Sequence, residues 1–450
     1  MTSTTSTETD TGTTASSNAL SSSLTSSLTS GEPDITFDDI DLTDLDLFAE
    51  RFPHDWFTFL RKNAPVWWHP PGHVDSAGDE GFWVVSKYDD IVSVHRSWQT
   101  FSSHTGGHRP PNGGIGIIDQ TPEVGVGTQM IQQDPPGHTR LRKLVNRGFT
   151  PKAVRFLEQH LRQRAIDILD AVGGGEGDFV VDVAAELPLQ AIAELVGVPM
   201  DERDKLFDWS NRIIGSSDPE YKVSEDEAAV ARGELFAYAT ELAAEKRKNP
   251  AEDIWSKLVD AEVTMADGTK EKLSEFELHL FFFLLIIAGN ETTRNAISHG
   301  MLAFFEFPDQ WKLYCEHPEL SDTAVEEVLR WSTPVAYFRR TATEDTEIRG
   351  QSIAIGDKVT VWYPSANRDE EHFENPFVLD ITRDPNHHIS FGGGGPHFCL
   401  GAHLARLEIK VIFEELARRF PNIEQISDAQ RLRMNLINGI KHFQVAYNGT

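Results

Sequence analysis

Cysteine is scarce in this chain: only Cys315 and Cys399 among 450 residues. So few exclude a disulfide scaffold, and neither sits in the C-x-x-C frame of a zinc site. Basic residues are also outnumbered, 41 Lys and Arg against 70 Asp and Glu, and the resulting net charge of −29 argues against nucleic acid as a partner. The first 50 residues carry no Lys or Arg at all, so they lack the basic start of a secretory signal and the arginines of a transit peptide. Residues 1–30 are mostly Ser and Thr with almost no large apolar groups. Burial there cannot offset ordering entropy, and residues 1–35 are expected to form a disordered acidic tail.

Long apolar runs are missing as well. The longest, Leu280 to Ala288, is too short for a membrane span and lies mid-chain, so no span and a cytoplasmic location are expected. No internal repeat and no flavin or nicotinamide module is visible. The stretch Gly173-Gly-Gly-Glu-Gly-Asp178 has no strand before it and lacks the dinucleotide spacing, so it reads as a helix-ending loop. His387-His388 has no third ligand at sensible spacing and reads as surface.

What is present is mainly helical. Apolar periodicity predicts helices over 138–147, 151–171, 187–196, 228–248, 274–306, 322–331 and 400–420. Strand patterns are few: 81–85, 335–339 and 358–363. The expected fold class is mainly α with a small β portion, in one domain over residues 36–450. One loop, Ser102 to Gly127, holds seven Gly and three Pro. Loops of that length are commonly functional or disordered.

The most informative segment is Phe391-Gly-Gly-Gly-Gly-Pro-His-Phe-Cys399-Leu-Gly401. Its glycines let backbone approach a large flat ligand, and the helix pattern that follows puts Cys399 at a helix N-terminus, which favours the thiolate. A thiolate cradled by amides suits the axial position of a haem iron, with a small buried hydrophobe as the plainer reading. The segment resembles the haem-binding loop of the cytochromes P450, with Gly395, His397, Cys399 and Gly401 where that pattern wants them. Phe391 lies one residue further upstream than in the common form.

The resemblance extends over the chain from about residue 36 and implies a cytochrome P450 fold, a haem b cofactor and Cys399 as its metal ligand. Leu280 to Ile287 is apolar on every side, so a helix there runs through a core, and it breaks into polarity at Glu291 and Thr292. Ala288-Gly289-Asn-Glu291-Thr292 resembles the oxygen-activation motif, implying that Thr292 and Glu291 are catalytic and manage protons. By themselves they read as a Thr bonded to its own helix and a Glu in an ion pair. Glu327 and Arg330 share a helix face and match the family's structural Glu-x-x-Arg pair. His138, Arg142, Arg340 and His397 match propionate-contacting positions, with Arg339 standing in for Arg340 if the register differs by one. Alone, each is a solvated charge. Ile115, Ile117, Ala288 and Val335 are assigned to the substrate pocket.

The implied reaction is insertion of one atom of O2 into a C–H bond of a small hydrophobic substrate. Electrons would come from a ferredoxin and an NAD(P)H-dependent ferredoxin reductase. Lys143, Arg147, Lys152, Arg406 and Lys410 offer a basic patch for that donor, or simply a solvated face. The stretches 288–300 and 365–369, with the lengthened Cys loop, resemble the branch that hydroxylates terminal methyls of sterol side chains and methyl-branched lipids. Terpene alcohols or fatty acids are the alternative substrates. A non-catalytic haem sensor is the alternative of another class, and the Glu291–Thr292 pair disfavours it. Thr292 also disfavours a peroxide-driven enzyme.

Overall fold

The longest helix, Glu275–Glu306, starts where Ser274 and Glu277 cap one another: Ser274 N–H donates to the Glu277 carboxylate at 2.8 Å, and Glu277 N–H to Ser274 Oγ at 3.2 Å. That reciprocal pair satisfies two of the four donors a helix start leaves free. Being apolar all round, the helix packs on several sides, against Glu186–Val196, Glu225–Lys248, Ser321–Ser332 and Ala402–Arg419. Two glycines admit these neighbours. A Cβ on Gly289 would stand 2.4 Å from Ile192 Cδ1, and one on Gly300 2.8 Å from Val328 Cγ1. Among the described residues this helix alone is long and apolar enough to cross a membrane, and half of its most apolar window is buried against other helices.

This computed structural model describes Met1 and residues 35–72, 80–104, 113–119, 127–146, 149–214, 218–222, 224–264 and 268–449. The expected disordered tail lies outside them save for Met1 and Ile35. Two units are distinguished, Met1–Ile40 and Asp41–Thr450. In the first, the short turn Phe37–Asp39 is closed by Thr36, whose N–H donates to the Asp39 carboxylate at 2.8 Å. The second carries the helices and sheets.

It is mainly helical with small sheets, as expected. The largest sheet orders its strands Val66–His69, Phe82–Val85, Lys358–Trp362, Tyr337–Ala342 and Phe101–Ser102. Lys358–Trp362 runs parallel to Phe82–Val85 and antiparallel to Tyr337–Ala342, with Val359 opposite Arg340. The glycine-rich stretch at 173–178 departs from the expected loop. Gly173 ends the helix Pro151–Val172 at φ +64°, but Gly175–Asp178 then forms a strand against Gln444–Tyr447. A partner some 270 residues away in sequence, as the paired positions imply, overrides glycine's poor strand propensity. His388 is corrected too. Its side chain is 2 % exposed, and its Nε2 meets Glu326 Oε2 at 2.9 Å, while His387 stays on the surface.

Candidate active site

Cys399 closes its loop with a backbone bond, its N–H donating to Phe391 O at 2.9 Å, and the helix Ala402–Arg419 begins three residues later. The glycines before it serve two purposes. Gly392, Gly394 and Gly395 take φ values of +101°, +94° and +75°, a region that glycine enters without penalty. The run also presses on the helix Tyr88–Arg96: a Cβ on Gly395 would sit 2.3 Å from the His95 carbonyl oxygen, and one on Gly393 3.0 Å from Val92 Cα. One close approach that the glycines permit is therefore to protein backbone, while Gly392 and Gly401 line the cavity.

Cys399 is exposed to a cavity. Ala288, Gly289 and Thr292 of the core helix also line it, and the apolar wall adds Met130, Phe149, Phe281 and Val335. Burial holds the Cys399 thiol above its ordinary pKa, opposed by the N–H groups of Gly401 and Ala402 and by Arg142 and Arg406. The helix start thus does not by itself yield a thiolate. A metal cation at the sulfur reverses that balance, since a coordinating thiol is deprotonated outright.

The remaining polar lining gathers two arginines and two imidazoles. His138, Arg142, Arg340 and His397 all face the cavity, with the His138 and His397 rings 4.3 Å apart. Burial, then Arg142, pulls His138 down to about 4; burial, then Arg340, His138 and His95, pulls His397 down to about 2. His138 Nδ1 and His397 Nε2 are buried without a partner among the described residues. Glu408 is the sole carboxyl among the described lining residues, and burial raises its pKa well above the usual range. Asp134 acts on His138 and Arg340 from a distance, but buried cations and imidazole nitrogens with no hydrogen-bonded anion are costly. A flat apolar group with carboxylates on one edge and a metal at the sulfur fits this donor set, and haem is such a group.

Strand alternation settles the choice between the two arginines. Phe338 and Arg340 share the cavity face, whereas Arg339 turns the other way, to Asp119 Oδ1 at 2.6 Å. Of the two proton-handling candidates only Thr292 reaches the cavity, its Oγ1 donating to Ala288 O at 2.7 Å. Glu291 is buried on the adjoining helix face, ion-paired with Arg294 and 3.4 Å from Ser210 Oγ. Successive residues of a helix point about 100° apart, and here the step from Thr292 back to Glu291 leads away from the cavity toward Ser210 and Arg294. Ala288 and Val335 line the cavity, but Ile115 and Ile117 do not. Their carbonyls instead accept Arg339 N–H at 2.7 Å and Lys358 Nζ at 2.8 Å, extending the sheet margin. Met130, Ile131, Phe149 and Ile192 occupy the wall in their place.

Glu327 and Arg330 are fully buried and bonded at 2.7 and 2.8 Å. Arg330 spends its other donors on the carbonyls of Asn367, Pro376 and Val378; Glu327 accepts from Asp380 N–H, Arg383 and Asn386. The pair thereby pins the segment leading into the Cys loop. The expected basic patch is largely neutralised. Arg406 bonds Glu326 at 2.5 Å and Lys410 bonds Asp322 at 2.6 Å, leaving Lys143 exposed, while Arg147 and the Lys152 side chain lie outside the described residues. Sequence reading missed His95, Tyr363 and Glu408 on the lining. No spacing marks them, because each lies in an element whose pattern reads as plain core.

The family model for cytochrome P450 matches residues 222–442. A steroid C26-monooxygenase of Rhodococcus jostii is 48 % identical over 412 residues, covering 90 % of this chain and 84 % of the relative. A methyl-branched lipid omega-hydroxylase of Mycobacterium bovis is 43 % identical over 428 residues, covering 92 % and 96 %. Among solved structures, a Mycobacterium marinum cytochrome P450 in complex with pseudoionone superposes with a TM-score of 0.82 at 37 % identity, covering 92 % of this chain and 99 % of that one. The chain belongs to the cytochrome P450 family and is a monooxygenase whose haem iron takes a cysteine thiolate.

Proposed function

We propose that Cys399 is that thiolate and that the enzyme hydroxylates a terminal methyl of a sterol side chain or methyl-branched lipid. The observation that carries this reading is the cavity itself, which Cys399 and Thr292 both line and whose wall is otherwise mostly apolar. Such walls offer a hydrocarbon end no polar anchor, so selection rests on shape and burial. The names of the relatives described above supply the substrate class.

The bound haem supplies oxygen activation: with two electrons and two protons, one oxygen atom enters the C–H bond and the other leaves as water. The chain supplies the rest. His138, Arg142, Arg340 and His397 hold the propionates. Met130, Phe281, Ala288 and Val335 orient the substrate and exclude water. Thr292 Oγ1, now held by the Ala288 carbonyl, turns to pass a proton into the cavity, and Glu291 resupplies it from the protein interior. Glu327 and Arg330 keep the Cys loop in place. Electrons arrive from a ferredoxin reduced by an NAD(P)H-dependent reductase, in the cytoplasm, and residues 36–450 act as one domain behind an acidic tail.

Titration of the ferric enzyme at the Soret band tests the substrate class. Cholest-4-en-3-one and phytanic acid are expected to give the high-spin shift, with linalool weaker. Products should be primary alcohols. A response to linalool alone, or secondary alcohols throughout, overturns the terminal-methyl reading.

A further inference from the structure

His95 closes the helix Tyr88–Arg96 and is 5 % exposed, yet it lines the cavity beside Arg340 and His397. Its ring stacks on Tyr363, centroids 5.4 Å apart and planes 25° apart. Gly393 presses on its edge, where an added Cβ would lie 3.1 Å from His95 Cδ2, and Gly395 presses on its carbonyl. The side chain is thus fixed by an aromatic face on one side and the Cys loop on another. For all that packing, Nε2 is buried with no partner among the described residues. A rigid, orphaned imidazole nitrogen is costly unless something arrives to meet it.

We infer that His95 holds a haem propionate, donating Nε2–H into the anion site shared with Arg340 and His397. Its burial, with Arg340 adding to the effect, keeps the ring neutral before haem binds. A neutral imidazole has one N–H, and an anion selects the tautomer that carries it on Nε2. His95 comes from the helix before the long loop, whereas His138, Arg340 and His397 come from three later elements. The propionates would therefore tie this helix to the Cys loop that packs on it. The inference rests on the haem reading above and adds a contact to it.

The test uses full-length holoenzyme and the rate at which it surrenders haem to excess apomyoglobin. His95→Phe preserves the stack on Tyr363 and removes the N–H; His95→Gln returns an N–H near the place of Nε2. Loss of one hydrogen bond to a charged group corresponds to about a ten- to hundredfold faster release. The Phe variant is expected to show that acceleration, and the Gln variant to stay within about threefold of the parent. Repeating the comparison with haem dimethyl ester, whose carboxylates are capped, should erase the difference between parent and Phe variant. A Phe variant that keeps haem as long as the parent, or an acceleration that survives esterification, overturns the proposal. Should the Phe variant not fold, His95→Asn, whose amide falls short of the Nε2 position, takes its place with the same two outcomes. A parent chain that takes up no haem, or whose ferrous carbonyl lacks the thiolate Soret band, overturns the haem reading together with this one. A normal parent spectrum with an indifferent variant overturns this inference alone.

Discussion

At Cys399 two opposing influences set the state of the sulfur. Burial favours the thiol, while two amide groups and two arginines favour the anion, and without a metal burial prevails. The charge that completes the site must therefore come with the cofactor. Cys399→Ser replaces a soft ligand by one too hard and too basic to take its place. The variant is expected to lose the long-wavelength Soret band of the ferrous carbonyl, and a retained band would remove Cys399 from the coordination sphere. Thr292 makes a different kind of contribution. Its hydroxyl is bonded to the Ala288 carbonyl and free to exchange that partner for one in the cavity. With Thr292→Ala, product formation should fall roughly a hundredfold while NAD(P)H consumption continues and hydrogen peroxide accumulates. Equal loss of product and of NAD(P)H consumption would place Thr292 outside the proton path.

At the level of elements, the reach of sequence reading follows the range of the interactions. The helices predicted over 151–171 and 274–306 correspond to Pro151–Val172 and Glu275–Glu306, because apolar period and caps are local. The strand Gly175–Asp178 was hidden because its hydrogen bonds come from the far end of the chain. Arg339 and Arg340 are indistinguishable in a sequence, and only strand register decides that Arg340 shares the Phe338 face. Glu327 and Arg330 were readable as a pair, though not as a clamp on residues 367–386. Breaking a buried pair leaves an uncompensated charge, costing about 3–5 kcal/mol. Glu327→Ala should therefore melt well below the parent by circular dichroism, and Arg330→Lys should rescue little, since an ammonium cannot reproduce the fork. Gly395→Ala is expected to be worse placed still for the Cys loop, combining φ +75° with a Cβ 2.3 Å from rigid backbone. Its holoenzyme should release haem faster than the parent even if the apo chain folds.

Over the whole molecule, a net charge of −29 coexists with an interior pocket whose lining holds two arginines and three histidines against a single carboxyl among the described residues. That arrangement ties stability to both pH and cofactor. His138 has its pKa lowered from 6.5 to about 4, chiefly by burial, so between those values the unfolded chain binds more protons than the folded one. Stability then rises with pH across that window and is lost as pH falls through it, the reverse of what a histidine with a carboxylate partner would give. Haem changes the sign of the surroundings: propionates beside His138 raise its folded pKa toward the unfolded value and shrink the proton difference. In urea titrations of the apo chain between about pH 6.5 and pH 4, His138→Phe should flatten the loss of stability by up to one bound proton. In the holoenzyme the same substitution should change the slope far less, and should instead accelerate haem release. An identical pH slope in apo parent and apo variant would mean that His138 is not buried neutral, and would take from the propionate site the histidine on which its cost is most directly measured.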